Sequence, residues 1–249
     1  MPSDGLDFSR RAQPSELPEW MDEPCSYEDF RECLRDLKQC NRMVGTYPPT
    51  LRWLRQFAGA KNEPLHIVDV GSGGGDMLRR IETWARKNNV PVKLTGIDLN
   101  PYAARAAREF GTDSSEIEWI TGDAFSYQPE ALNGLKAPID IVISSLFTHH
   151  LPDDEIVRFV AWMERVAVRG WFINDLHRER MPYYGFRALA WLMRWHRFVR
   201  HDGPISIRRS FSHDDWRKYT AAAGLHPTDV SIDAVRPARL CVGRMKRGR

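Results

Sequence analysis

The stretch Leu-His-Ile-Val-Asp-Val-Gly-Ser-Gly-Gly-Gly-Asp, Leu65 to Asp76, limits what this chain can fold into more than any other segment. Leu65 to Val70 is a short, mostly apolar, β-branched run bounded by Pro64 and a glycine cluster, the pattern of a strand buried on both faces. The chain then turns directly into a segment whose apolar residues Met77, Leu78, Ile81, Trp84 and Ala85 recur at helical spacing. Strand, glycine turn and helix in that order open the nucleotide-binding half of a doubly wound α/β sheet. Glycines suit the turn because the chain reverses tightly there. A ligand must also lie against bare backbone, near the N–H groups of a helix N-terminus.

The rest of the chain repeats the alternation. Val92 to Asp98 reads as a second strand ending in an acid about twenty residues beyond the glycines, a separation that brings a carboxylate to both ribose hydroxyls. Asp98 is therefore the ribose candidate. Pro101 starts a helix over Tyr102 to Phe110. The third strand, Ile117 to Thr121, leads into Gly122-Asp123-Ala124. There Asp123 can accept from an adenine amino group and the next backbone N–H can reach a ring nitrogen, although a plain surface turn would read the same. Ile139 to Ser145 is the fourth strand and runs into Leu-Phe-Thr-His149-His150-Leu-Pro-Asp153. An amphipathic helix over Asp153 to Val168 and a fifth strand over Trp171 to Leu176 follow. Thr228 to Ile232 and Ala238 to Val242 fit a closing pair of strands. Such alternation predicts a parallel sheet covered on both faces, with Gly71 to Gly75, Asp98, Asp123, Ser144 to His150 and Asn174 to Arg178 on its ligand-binding carboxyl edge.

Residues 1 to 17 are polar and turn-rich and are expected to fray. From Ser26 a helix is expected, with Phe30, Cys33, Leu34, Leu37, Cys40 and Val44 on one face, followed by a second over Pro49 to Phe57. This N-terminal element, residues 1–58, either packs across the sheet edge or forms a lid that turns Arg42 and Tyr47 toward a ligand carboxylate. The remaining 59–249 read as one domain with a cap insertion at about 178–212, since 42% hydrophobic residues suffice for a core of that size.

Charge and cysteine usage exclude several classes. The 36 basic residues are nearly balanced by 33 acidic ones, which leaves no nucleic-acid footprint. Cys25, Cys33, Cys40 and Cys241 form no Cys-x-x-Cys and have no histidine at zinc-ligand spacing, so no metal is expected. They read instead as packed thiols in a reducing, cytoplasmic setting. The first residues lack the apolar core of a secretory signal, and no apolar run is long enough to cross a bilayer.

Val-Asp-Val-Gly-Ser-Gly-Gly-Gly-Asp, Gly-Ile-Asp98-Leu-Asn, Gly-Asp123-Ala and Leu-Phe-Thr-His-His-Leu-Pro-Asp, in that order between Leu65 and Leu176, resemble the class I methyltransferases dependent on S-adenosylmethionine. The resemblance is strongest to the branch with ubiquinone/menaquinone-biosynthesis and small-molecule enzymes. It implies a Rossmann-like seven-stranded sheet with the last strand antiparallel. It also implies that Gly71, Ser72 and Gly73 lie against the methionine portion of the cofactor, Asp69 supports that loop, Asp98 holds the ribose, Leu99 packs on adenine, and Asp123 with Ala124 reads the adenine edge. Ser144 or Ser145 would offer a carbonyl to the methionine ammonium, and His149 and His150 would lie where cofactor and acceptor meet. The family often has cysteine and threonine where Ser72 and Gly74 stand here, a departure of little weight because backbone makes the contact.

Methyl transfer from a sulfonium needs in-line alignment and exclusion of water more than covalent help. A hydroxyl or acidic carbon acceptor must also lose a proton, and His149, His150 and His177 are the base candidates. Each could equally do no more than hydrogen-bond its loop. Met181 to Arg200 is rich in aromatic residues with arginines interleaved, and it reads as a cap over a small apolar or aromatic acceptor, with O-methylation favoured over C-methylation. A core helix, a dimer face in a homodimer rather than a monomer, or a basic helix resting peripherally on a membrane are the alternatives. A nicotinamide-dependent oxidoreductase would require glycine where Asp76 stands. A non-catalytic S-adenosylmethionine-binding protein would differ from an enzyme only in lacking turnover.

Overall fold

The computed structural model describes residues 6–58, 64–112, 115–127 and 138–246. Its strands are β1 (Leu65–Val70), β2 (Val92–Asp98), β3 (Glu118–Thr121), β4 (Ile139–Ser145), β5 (Ala167–Leu176), β6 (Ser231–Val235) and β7 (Arg239–Met245). They form one sheet in the order β3-β2-β1-β4-β5-β7-β6. β1 pairs in parallel with β2 and β4, and β7 runs antiparallel to both neighbours, as expected. The strand order reverses between β1 and β4, and the crevice at that switch point is where such a sheet binds ligands.

Period-two alternation divides the core between the two faces of the sheet. Val68, Val142, Trp171 and Ile173 face Phe159 and Trp162 of α5 (Asp153–Val166) and Trp216 of α8 (His213–Ala222). Ile67, Ile141, Ile143 and Phe172 face Trp53 and Leu54 of α2 (Tyr47–Leu54) and Leu78 and Ile81 of α3 (Asp76–Lys87). The second N-terminal helix is thus core structure, its Trp53 ring stacked on Phe172 with centroids 5.1 Å apart.

α1 (Tyr27–Met43) has a different place. Ser26 caps it by accepting from Asp29 N, and its apolar face meets both α4 (Ala103–Glu109) and the cap. That cap is not one segment. It is two helices, α6 (Arg180–Leu192) and α7 (Arg197–Arg209), broken where Arg194 takes a positive φ of 51°. Together α1, α6 and α7 roof the carboxyl edge of the sheet.

The N-terminal segment corrects another expectation. Residues 10–17 are tied down: Ala12 N donates to Arg208 O, and the buried Arg11 guanidinium donates to Arg209 O, His149 O and Leu151 O while pairing with Asp153 at 2.6 Å. The expected boundary at 58/59 abuts residues 59–63, which lie outside the described residues.

Candidate active site

A cavity of about 1810 Å³ lies between the carboxyl edge and its helical roof, well beyond the roughly 300–1,000 Å³ of a single small-ligand pocket. Its sheet side is built by the turn after β1. Gly71 has φ +73°, and an added Cβ would come within 2.5 Å of the Phe147 ring, so backbone and neighbour both require glycine. Gly73 N donates to Asp98 Oδ2 at 2.8 Å and Asn100 N to Oδ1 at 2.9 Å, which fixes that carboxylate at the end of β2 with a lone pair left on each oxygen.

Asp69, buried one residue before the end of β1, lines the cavity too. Its Oδ1 has no hydrogen-bond partner, and burial, with Asp76 and Asp98 nearby, pushes its pKa well above the usual carboxylate range. A buried acceptor left open beside two further acids is complementary to a cationic group.

Of the residues expected at the site, the cavity brings together Asp69, Gly71, Ser72, Gly73, Asp98, Leu99, Ser145, His149, His150 and His177. Four others lie elsewhere. Arg42 is exposed on α1, because the helical phase that turns Leu34, Lys38 and Asn41 inward turns it outward. Tyr47, paired with Arg42 in the lid reading, does line the cavity, but its hydroxyl donates to Asp76 Oδ2 at 2.7 Å. Asp123 is exposed and its carboxylate accepts from Phe125 N, capping its own turn, with Ala124 buried beneath. Ser144 is buried with its Oγ donating to Val70 O.

On the opposite side β4 and β5 run in parallel with Ser145 beside Asn174, and the loop after β4 therefore falls against the end of β5. Leu146 N donates to Asn174 O and Thr148 Oγ1 to Asp175 Oδ2 at 2.6 Å. His149, nearly fully buried, places Nδ1 2.7 Å from Asp175 Oδ1. Burial works against the Asp175 charge, but the His149 ring and the donors from His149, Thr148 and Leu176 outweigh it and hold the carboxyl well below the usual range. An ionised carboxylate only accepts, so Nδ1 carries a hydrogen, and in the neutral ring the lone pair is on Nε2.

His150 is organised the same way by Asp22, with Nδ1 2.8 Å from Oδ1. Burial disfavours its cation, but Glu19 and Asp22 prevail and raise its pKa to about 9. At neutral pH it therefore holds its proton and is no base. His177 sits at the cavity edge, 3.1 Å from Glu179, its pKa lowered by burial and by His213 and Arg178 against the pull of Glu179.

Glu19, Asp22, Arg209 and Arg11 carry no local sequence signal for this site, and Asp175 was placed on the sheet edge by its strand but not singled out as the partner of His149. Fully buried Arg209 donates from Nε to His149 O and pairs with Asp22 at 3.1 Å and Glu19 at 3.3 Å. These contacts join residues 60 to 190 positions apart or nearly so, which no window of sequence displays.

The roof supplies apolar surface from Leu37 of α1, Phe186 and Leu189 of α6, and Phe198 and Val199 of α7. Tyr184 and Trp191, two aromatic residues of the Met181 to Arg200 segment read as a cap over the acceptor, point the other way: they are 54% and 71% exposed and line no part of the cavity. α6 turns one face inward, and these two lie on the other.

Residues 67–170 match the model of a methyltransferase domain family. That stretch, β1 through the start of β5, is thus similar to a methyltransferase domain. Its fold is shared with magnesium protoporphyrin IX methyltransferase from Synechocystis PCC 6803 with bound S-adenosylmethionine, at 14% identity and TM-score 0.52 over 98% of this chain and 92% of that one. The plantazolicin methyltransferase in complex with S-adenosylhomocysteine aligns at 15% identity and TM-score 0.58, covering 84% and 85% of the two chains. A non-reducing polyketide synthase of Penicillium shearii is 23% identical over 185 residues, 66% of this chain but 8% of the synthase. The chain thus spans under a tenth of the length of that relative. Among the described residues no helix is long and apolar enough to cross a membrane.

Proposed function

We propose that this chain transfers the methyl group of S-adenosylmethionine to a small acceptor with an apolar or aromatic body and an ionisable oxygen or carbon, with His149 as general base. The observation that carries this reading is the Asp175–His149 pair opening into the cavity that also holds the Gly71–Gly73 loop and Asp98. The residues present fit the cofactor. Asp98 has two lone pairs for the ribose hydroxyls, Leu99 an exposed side chain for the adenine face, and the orphaned Asp69 Oδ1 suits the methionine ammonium. When bound, the cofactor supplies an electrophilic methyl on a good leaving group. The chain's own part is to orient the acceptor, exclude water beneath α1, α6 and α7, and take the acceptor proton on His149 Nε2 while Asp175 stabilises the resulting imidazolium.

Asp123 and Ala124 are proposed to reach the adenine edge only at the cavity mouth, and a backbone carbonyl at Ser144 or Ser145 to meet the ammonium. In this reading α1, within residues 1–58, acts as lid and about 178–212 as cap on the 59–249 domain, while α2 belongs to that domain's core. The four free thiols support a cytoplasmic setting, and one chain, as a monomer or within a homodimer, supplies every residue named. The test is calorimetry with S-adenosylhomocysteine and NAD, followed by S-adenosylhomocysteine release across a panel of phenols and 1,3-dicarbonyls. Binding of NAD instead of S-adenosylhomocysteine would overturn the cofactor assignment, and binding without any turnover would overturn the enzymatic one.

A further inference from the structure

Two histidines at the acceptor end of the cavity are built alike. In each, Nδ1 faces a carboxylate, Asp175 for His149 and Asp22 for His150, so each directs Nε2 elsewhere. Both Nε2 atoms converge on one side chain: His149 Nε2 is 3.9 Å from Glu19 Oε1, and His150 Nε2 is 3.9 Å from Glu19 Oε2. The ligand atoms of all three residues lie within 4.8 Å of one another. Glu19 Oε1 is held by Ser206 Oγ at 3.0 Å and by Arg209 at 3.3 Å, which leaves Oε2 with free acceptor capacity.

We propose that Glu19, His149 and His150 form a binding site for a divalent transition-metal ion of the zinc class. Two imidazoles and one carboxylate are a donor set suited to such an ion, and open positions remain on the cavity side. A carboxylate behind each histidine is the usual outer support of a metal-bound imidazole: it fixes the tautomer, aims the ring and makes Nε2 more basic. Charge agrees with donor type. With both imidazoles neutral, Glu19, Asp22 and Asp175 face Arg209, an excess of two negative charges that a divalent ion neutralises. Arg11 is matched by Asp153, and Asp202 is occupied by His201 and the N–H groups of Trp20 and Met21.

Tetrahedral ligands at about 2.0–2.1 Å from zinc lie roughly 3.3 Å apart, so small side-chain rotations close the set. The ion enters from the cavity, which all three residues line, and the proton on His150 leaves to solvent. Since the ion takes His149 Nε2, metal occupancy and proton abstraction by that nitrogen exclude one another.

The test uses the metal-stripped full chain and Co²⁺ alone, so it does not depend on methyl transfer. One Co²⁺ per chain should bind with the intensified visible absorption of a four- or five-coordinate ion, and Zn²⁺ should displace it. Glu19→Gln and His150→Gln should each weaken binding about 10-fold or more, and Asp22→Asn by about 10-fold through the outer support. His226→Ala, at an exposed histidine, should change nothing. His150 is 24% exposed at its side chain, and its variant decides the matter if the Glu19 variant does not fold. Cobalt absorption no different from the aqueous ion, or equal affinity in the wild type and His150→Gln, would overturn the proposal.

Discussion

Replacing His149 by asparagine separates the base from the scaffold, because the amide keeps an N–H where Nδ1 donates to Asp175 and removes the nitrogen that accepts a proton. Asp175 would still be held by Thr148 Oγ1 at 2.6 Å, Leu176 N at 2.7 Å and His149 N at 3.2 Å. Even if the new amide fell short, the fold would lose one charged hydrogen bond, about 1.5–3 kcal/mol. A general base contributes about 10²–10⁴ in rate, equivalent to roughly 2.7–5.4 kcal/mol of barrier. Acceptor-dependent release of S-adenosylhomocysteine, measured with chelator and saturating cofactor, should therefore show kcat reduced at least about 100-fold at neutral pH. S-adenosylhomocysteine affinity should stay within about twofold, since Asp98 and the glycine turn are untouched. The deficit should shrink as pH approaches the pKa of the acceptor, which then ionises unaided. If His149→Asn kept turnover within about threefold of wild type with the same pH profile, orientation alone would be the mechanism and the dyad would be structural.

Asp98→Ala should weaken S-adenosylhomocysteine binding about 100-fold or more by calorimetry, from two charge-assisted hydrogen bonds of about 1.5–3 kcal/mol each, whereas Asp214→Ala on the surface should not change it. Phe186→Ala and Leu189→Ala should each raise acceptor KM about 10- to 100-fold through the loss of roughly 1.5–3 kcal/mol of apolar contact, while Trp191→Ala, on the outward face of α6, should leave KM alone. Equal effects from inner and outer residues would show that α6 turns over in solution. Asp69→Asn should stabilise the ligand-free protein at pH 8 by on the order of 1–3 kcal/mol in urea denaturation, because it removes a buried negative charge set beside Asp76 and Asp98. Its folded pKa lies above the unfolded value, so wild-type stability from this group is lost as pH rises through the folded pKa, and the gap between variant and wild type should close in acid.

Much of the scaffold could be read from local pattern. The β-branched run Leu65–Val70, the glycines that follow and the apolar spacing of Asp76–Lys87 are the strand, turn and helix that were expected, and Asp98 does end β2 facing that turn. Such features are legible because their determinants lie within one element: alternation, helical spacing, caps such as the Ser212 capping box, and the conformational freedom of glycine. Position on the sheet edge follows from alternation as well, and it brought His149, His150 and Ser145 to the site along with the glycines.

Direction and partnership were decided elsewhere. Aromatic content in Met181–Arg200 signalled apolar surface, but only the packing of α6 and α7 on α1 settles that Phe186 faces the cavity and Trp191 faces out. Arg42 illustrates the same point, since one residue of helical phase separates it, in solvent, from Asn41 on the cavity wall. Chemistry is still more dependent on assembly. Three histidines look alike in sequence, yet Asp175 takes the Nδ1 side of His149, Glu19 and Asp22 keep a proton on His150, and burial pushes His177 down. The sequence by itself determined the order of elements and the edge on which function would gather, because those depend on neighbours along the chain. How each imidazole is partnered was decided only in the tertiary structure, because Asp175 stands 26 residues from His149 and Asp22 stands 128 from His150, and only folding brings them together.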